Sequence, residues 1–292
     1  ARAVIKQWIL PTGNQFIEEA SRKTTRPEGN LGEGIDYVRA DFDDSSWQQI
    51  NLPHDWAIEG PFTRSGGGGM GRLPTAGIGW YRKKLSIPAE DAGKSIFLDV
   101  DGAMSYATVW LNGQIVGGWP FGYASWRVDL TPYAKPGGTD ELVIRLDNPP
   151  NSSRWYPGAG IYRNVWLVKT RPVHVAQWGT QLTTSEVSCE QATVNLKVTI
   201  ANDSKQAANV SVATEVFALA ANGRKIGAPV AKIAPANVTI PPAANSVAEG
   251  AATVLNPKLW GPPPTQQPNR YVAVTTVSQP AKVVAHYETP FG

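Results

Sequence analysis

Bond-breaking chemistry draws on a short list of groups: two facing carboxyls, an activated Ser or Cys, or a metal held by His, Cys and acids. The 292-residue sequence is thin in all of them. Its acidic residues fall into small clusters, Asp41 with Asp43 and Asp44, Glu90 with Asp91, and Asp140 with Glu141. Each cluster reads as a solvated turn or strand edge, not as a catalytic pair. The three histidines, His54, His174 and His286, belong to different elements and lack metal-ligand spacing. No Ser/His/Asp arrangement is readable from spacing. Residues 65–71 are glycine-rich but lack the Gly-Lys-Ser/Thr ending of a phosphate cradle, so they read as a surface loop. The one cysteine, Cys189, excludes an intrachain disulfide and a Cys-based metal cluster. No catalytic residue, cofactor or metal is expected.

Elements that could hold a binding site are easier to find. The dominant period is two, the period of strands. Residues 79–87, 95–100, 106–111, 114–119, 141–147 and 161–169 are strand candidates. Asn112-Gly113, between two apolar runs, predicts a tight hairpin, because both turn positions need φ > 0. No stretch of this half shows a long, capped helical period. The second half alternates in the same way with Val, Ala and Thr filling. Val194, Leu196, Val198 and Ile200 share one face, as do Val210, Val212, Thr214 and Val216. Turns are expected at Asn202-Asp203-Ser204 and Asn222-Gly223, and further strands at 246–255, 270–278 and 282–288. About seven strands in such a length suit an immunoglobulin-like sandwich. Ten of the 11 tryptophans precede residue 179, so composition shifts there, and a boundary is expected after Arg171-Pro172. Most of these tryptophans read as core, with two or three left for a ligand surface.

Six segments, in order, resemble the N-terminal part of glycoside hydrolase family 2, the β-galactosidase and β-glucuronidase group. They are Trp47 with Leu52-Pro53-His54-Asp55-Trp56; Gly77-Ile78-Gly79-Trp80-Tyr81-Arg82-Lys83; Asp101-Gly102 with Leu111-Asn112-Gly113; and Phe121-Gly122-Tyr123 with Asp129-Leu130-Thr131. The fifth, residues 154–167, is similar to the most distinctive run of the β-galactosidase branch, and Asn256-Pro257 with Leu259-Trp260 is the sixth. The resemblance implies an all-β chain: a jelly-roll, galactose-binding-like β-sandwich over residues 1–172, then an immunoglobulin-like sandwich over 173–288. Residues 289–292 would start a linker, Phe291-Gly292 being similar to the strand that precedes the family's (β/α)8 catalytic barrel.

Family members are retaining glycosidases, whose two carboxyl groups stand about 5–5.5 Å apart. The resemblance puts both on the barrel, so this chain is expected to be inactive alone and to shape the sugar site of a longer β-galactosidase-like enzyme. A loop of the jelly roll then reaches the sugar, and its candidates here are Asp147, Asn148, Arg154, Trp155 and Tyr156. A carboxylate accepts from vicinal hydroxyls, Arg donates, and an aromatic face covers the C–H face of a pyranose. Asp147 is expected at a surface strand end, within reach of Arg154. In one family branch the equivalent acid also helps hold sodium, but the flanking residues differ here and no metal is carried over. His54-Asp55-Trp56 reads as structural, with Trp56 packing down and the polar pair satisfying loop backbone.

Two other readings use the same features: a free-standing carbohydrate-binding module with a spacer, and an adhesive protein of two sandwiches. The expected partners are a β-galactoside-type carbohydrate and the catalytic barrel, with a homo-oligomer also compatible. A net charge of +3 does not suggest nucleic acid, and no apolar run reaches the ~18 residues of a membrane span. Four Asn-x-Ser/Thr triplets, at Asn151, Asn202, Asn209 and Asn237, are explained by composition. Localisation is open between the bacterial periplasm and cytoplasm.

Overall fold

The structure is a computed structural model that describes residues 1–61, 73–150, 158–280 and 282–292. The chain divides into two compact units, Ala1–Lys169 and Thr170–Gly292. Both are built from antiparallel strands.

The first unit contains helix α1 (Arg2–Ile9) and strands β1 (Gly77–Ser86), β2 (Ser95–Val100), β3 (Ala107–Leu111), β4 (Gln114–Trp119), β5 (Trp126–Asp129), β6 (Thr139–Asn148) and β7 (Val165–Thr170). One sheet has the order β1-β6-β3-β4 and the other β5-β2-β7. Their facing sides make the sandwich core, in which Leu142, Ile144 and Leu146 of β6 meet Leu98, Val100 and Val128. Burying each such side chain contributes about 1.5–3 kcal/mol. The β3–β4 hairpin turns at Asn112 and Gly113, with φ of 51° and 78°, as the Asn-Gly pair requires. Asn112 also bonds outward, donating from Nδ2 to Asp140 Oδ1 at 2.6 Å and accepting from the Glu141 N–H at 3.0 Å, which ties the hairpin to β6.

Period two sends Val143, Arg145 and Asp147 to the opposite face of β6. That face is covered by the N-terminal residues. Ile5, Trp8 and Ile9 of α1, spaced i, i+3, i+4, pack with Trp110, Ile115 and Val143. At eight residues α1 falls short of the long, capped helical period that this half of the sequence lacks. Two turns with no side-chain cap give little local signal, and the helix owes its stability to the sheet beneath it. Trp80 stacks on Trp110 at 5.8 Å. Arg82 pins the next stretch: its guanidinium donates to Asp44 at 2.9 Å and to the carbonyls of Tyr37 and Arg39, and it pairs with Glu141 at 3.4 Å. Burial raises the Glu141 carboxyl above its ordinary range despite the Arg82 charge beside it.

The second unit contains β8 (Val173–Ser185), β9 (Gln191–Asn202), β10 (Ala208–Leu219), β11 (Lys225–Ile240), β12 (Ala244–Leu255), β13 (Arg270–Gln279) and β14 (Lys282–Phe291). Three strands, β12-β9-β8, face four, β11-β10-β13-β14, the arrangement of an immunoglobulin-like sandwich. Leu196, Val198, Ile200, Val210, Val212 and Val277 fill the interior. The buried hydroxyls of Thr214 and Thr275 satisfy each other at 2.9 Å. Asn202 closes the expected turn, donating from Nδ2 to the carbonyls of Gln206, Ile240 and Pro241. β11 is long but carries Pro229 and Pro235, which masked its period; as an edge strand it tolerates both. Residues 289–291, expected to start a linker, lie within β14. Thr289 pairs with Ala273, and Phe291 stacks on Tyr271 at 5.7 Å. Among the described residues, no helix is long and apolar enough to cross a membrane.

One ionic anchor of the first unit gives a pH test. The carboxylate of buried Asp91 takes a bond from Lys94 at 2.5 Å and one from Lys169 of β7 at 2.6 Å. These bonds, that of Lys169 foremost, hold it below the usual carboxylate range. Its contribution is therefore complete above about pH 4 and is lost as pH falls through the lower folded value. Asp91→Asn is expected to melt below the wild type at pH 7, with the gap narrowing between pH 4 and pH 2 in thermal melts. A gap that stays constant across this range would remove Asp91 from the acid response.

Candidate functional site

The end of β6 carries the first two sequence-predicted site residues, and the register sets their surroundings. Asp147 stands opposite Ile78 and Asn148 opposite Gly77. Asn148 is 1% exposed, and its Nδ2 donates to the carbonyls of Thr75 and Gly158, both at 2.8 Å. It brackets the chain just before β1 and the chain at Gly158.

Asp147 departs from expectation. It is 4% exposed, not a surface carboxylate. Its Oδ1 accepts from Nε and Nη2 of Arg2 at 3.2 and 3.0 Å, and its Oδ2 accepts from Nη2 of Arg145 at 3.0 Å. The physical reason is the period of the strand. Residues 145 and 147 share the face covered by α1, whose first residue is Arg2. Both carboxylate oxygens are thus engaged by guanidinium groups of the protein itself. The main chain is fixed as well, since the Asp147 N–H donates to the Ser105 carbonyl at 2.8 Å and Ser105 Oγ donates back to the Asp147 carbonyl at 3.1 Å. Arg154, Trp155 and Tyr156 lie outside the described residues.

Beside this strand end, residues 54–56 and 159–161 form a short bonded ribbon. The His54 N–H donates to the Ile161 carbonyl at 2.8 Å and the Trp56 N–H to that of Ala159 at 3.0 Å. Asp55 Oδ1 accepts from the N–H groups of Ala57 and Ala159, both at 2.9 Å. Asp55 therefore satisfies backbone, as the sequence reading had it, and Trp56 packs on the sandwich core. His54 does something the sequence did not indicate. Its Nδ1 lies 2.8 Å from the Tyr81 hydroxyl and its Nε2 lies 3.2 Å from Glu59 Oε1. Burial pushes the Tyr81 phenol up to about 12, so the hydroxyl beside Nδ1 keeps its proton. Gly160 is required at the centre of this packing. Its φ is +110°, and a Cβ there would meet the His54 carbonyl oxygen at 2.5 Å and Tyr81 Oη at 2.7 Å.

The arrangement is a braced scaffold. Among the described residues its carboxylates are bound to backbone, guanidinium or imidazole groups rather than facing each other, and no group of three His, Cys, Asp or Glu could hold a metal.

Residues 78–160 match the family described as glycosyl hydrolase 2 galactose-binding domain-like, and residues 173–292 match glycosyl hydrolases family 2. These are domains of glycoside hydrolase family 2. The chain is 41% identical to the β-galactosidase BoGH2A of Bacteroides ovatus over 90% of its own length, and 32% identical to a putative β-glucuronidase of Formosa agariphila over 95%. It covers 30% and 26% of those proteins. A solved glycosyl hydrolase family 2 member from Bacteroides cellulosilyticus superposes with a TM-score of 0.78 at 32% identity, over 91% of this chain and 34% of that one. The chain thus spans about a third of the length of these relatives.

Asp147→Ala tests the brace. It leaves Arg145 buried without its partner, and the first unit is expected to lose about 2–3 kcal/mol. Arg2 is 43% exposed, so Arg2→Ala is expected to cost at most about 1 kcal/mol. Chemical denaturation followed by tryptophan fluorescence reads both. Equal, near-zero losses would show that the triad carries no stability.

Proposed function

We propose that this chain is the non-catalytic, N-terminal part of a retaining β-glycosidase, a β-galactosidase rather than a β-glucuronidase, and that it shapes the sugar site and supports the catalytic barrel. The observation that carries this reading is the 41% identity to a β-galactosidase across 90% of the chain. The motif spanning residues 154–167 supports it independently.

The residues proposed to touch sugar are Arg154, Trp155 and Tyr156. Arg supplies donors to ring hydroxyls, and the aromatic faces cover the apolar side of a pyranose. Asp147 and Asn148 act from behind, since their polar atoms are already bonded within the scaffold. They fix one base of the segment that carries Arg154, and Asn148 fixes the other through Gly158. Rigid support of this kind keeps a loop residue within the narrow tolerance that sugar recognition needs.

The test compares the longer protein with this chain alone. The longer protein is expected to hydrolyse p-nitrophenyl β-galactoside in preference to the β-glucuronide. The purified 292-residue chain is expected to hydrolyse neither, because the retaining mechanism needs its two carboxyls about 5–5.5 Å apart. In the longer protein Arg154→Ala should lower kcat/KM about 10–100-fold, the scale of one lost polar contact to substrate. Turnover by the purified chain, or a preference for the glucuronide, would overturn the proposal.

A further inference from the structure

Large exposed aromatic side chains are informative when they gather, because a folded surface normally scatters them. In the first unit Phe121, Tyr123 and Trp166 are 57%, 39% and 54% exposed. A series of bonds links the segments that carry them, the 121–123 loop and the start of β7. Phe121 and Tyr123 flank Gly122 and meet edge to face, with ring centroids 5.5 Å apart. The Gly122 carbonyl accepts from the Tyr162 hydroxyl at 2.8 Å, so the loop lies against the chain that leads into β7. Gly102 closes the gap on the other side: a Cβ there would touch the Tyr162 ring at 2.8 Å and the Arg163 side chain at 3.0 Å. Next to Gly102, Asp101 Oδ2 accepts from Trp166 Nε1 at 3.0 Å.

Two features of this surface bear on what it binds. The rings are held in place: Tyr162 braces the 121–123 loop, and Asp101 fixes the indole of Trp166 by its one donor. Rigid aromatic faces lose little entropy when something stacks on them. The rings are also interleaved with polar groups. Asp101 keeps acceptor capacity after its bond to Trp166, and the exposed Arg163 supplies donors. A purely apolar partner would leave these groups unpaired. A pyranose, with an apolar C–H face and a rim of hydroxyls, satisfies both.

We infer that Phe121, Tyr123 and Trp166, with Asp101 and Arg163, form a carbohydrate-stacking surface that holds a sugar unit of a longer glycan. The surface adjoins the candidate site. The Met104–Gly160 bridge joins the two loop regions, and Ser105 is bonded to Asp147. A glycan that reaches the site could therefore extend across the rings. The inference shares the carbohydrate setting of the proposed function but requires no catalysis by any domain.

The test uses the 292-residue chain in native gels containing soluble β-1,4-galactan, with galactan-free gels as reference, and isothermal titration with β-1,4-galactotetraose. The wild type is expected to be retarded and to give a measurable Kd. Trp166→Ala and Tyr123→Ala are each expected to weaken binding at least about 10-fold. Both residues are exposed, and circular dichroism melts confirm that the variants fold. Trp260→Ala, which removes an exposed ring of the second unit, should leave the Kd within about twofold. Absence of binding by the wild type, or binding that both aromatic variants retain, would overturn the inference. Loss of assembly or activity in the longer protein on Trp166→Ala, without glycan binding by the chain, would overturn it in favour of a domain-contact surface. Hydrolysis of galactosides by the longer protein is read separately, so failure of one proposal is distinguishable from failure of the other.

Discussion

Strand β6 is buried on both faces, and the first unit is organised around that fact. One side, Leu142, Ile144 and Leu146, supplies the sandwich core and needs only apolar neighbours. The other alternates Glu141, Val143, Arg145 and Asp147, and charges covered in this way are costly unless paired. Each is paired: Glu141 with Arg82, and Asp147 with Arg145 and Arg2. These pairs recruit chain that is distant in sequence. Arg82 collects the carbonyls of Tyr37 and Arg39 and the carboxylate of Asp44, and Asp147 collects the first residue of α1. The N-terminal covering is thus held by apolar contacts in its middle and by charge at two corners.

The strands were legible because alternation and turn chemistry agree locally. The Asn112-Gly113 hairpin and the one-sided runs of β9 and β10 need no tertiary information. Where local signals conflict with the fold, the reading stops. β11 is interrupted by prolines that only its edge position excuses. α1 is too short to declare itself, since its apolar face has meaning only against Trp110 and Val143. The environment of Asp147 divides along the same line. Its bond to Arg145 was implicit in a period of two, whereas its bond to Arg2 crosses 145 residues of sequence and has no local trace. The jelly-roll assignment rested on the order of six motifs, not on any one strand.

The site residues show why polarity at a strand end is a weak guide to function. Asp147, Asn148, Asp55 and His54 all have the chemistry to bind a sugar, and each is occupied with holding loops. Asn148 and Asp55 spend their hydrogen bonds on backbone at Gly158, Thr75, Ala57 and Ala159. The aromatic rings of Phe121, Tyr123 and Trp166 nearby have the opposite character, since they stay exposed to solvent. In this fold the buried polar residues set geometry, and the residues proposed for recognition are exposed rings and loop residues.

The prolines of β11 have a consequence for how the second unit behaves in a crowded solution. An edge strand with free N–H groups is a template on which another chain can add a strand, and repeated addition leads to aggregates. Pro229 and Pro235 each remove one such donor from a strand that is otherwise long and extended. Lys225 and Lys232 add charge along the same edge, in ion pairs with Glu288 and Glu215. The second unit thereby carries an edge that resists pairing with its own kind.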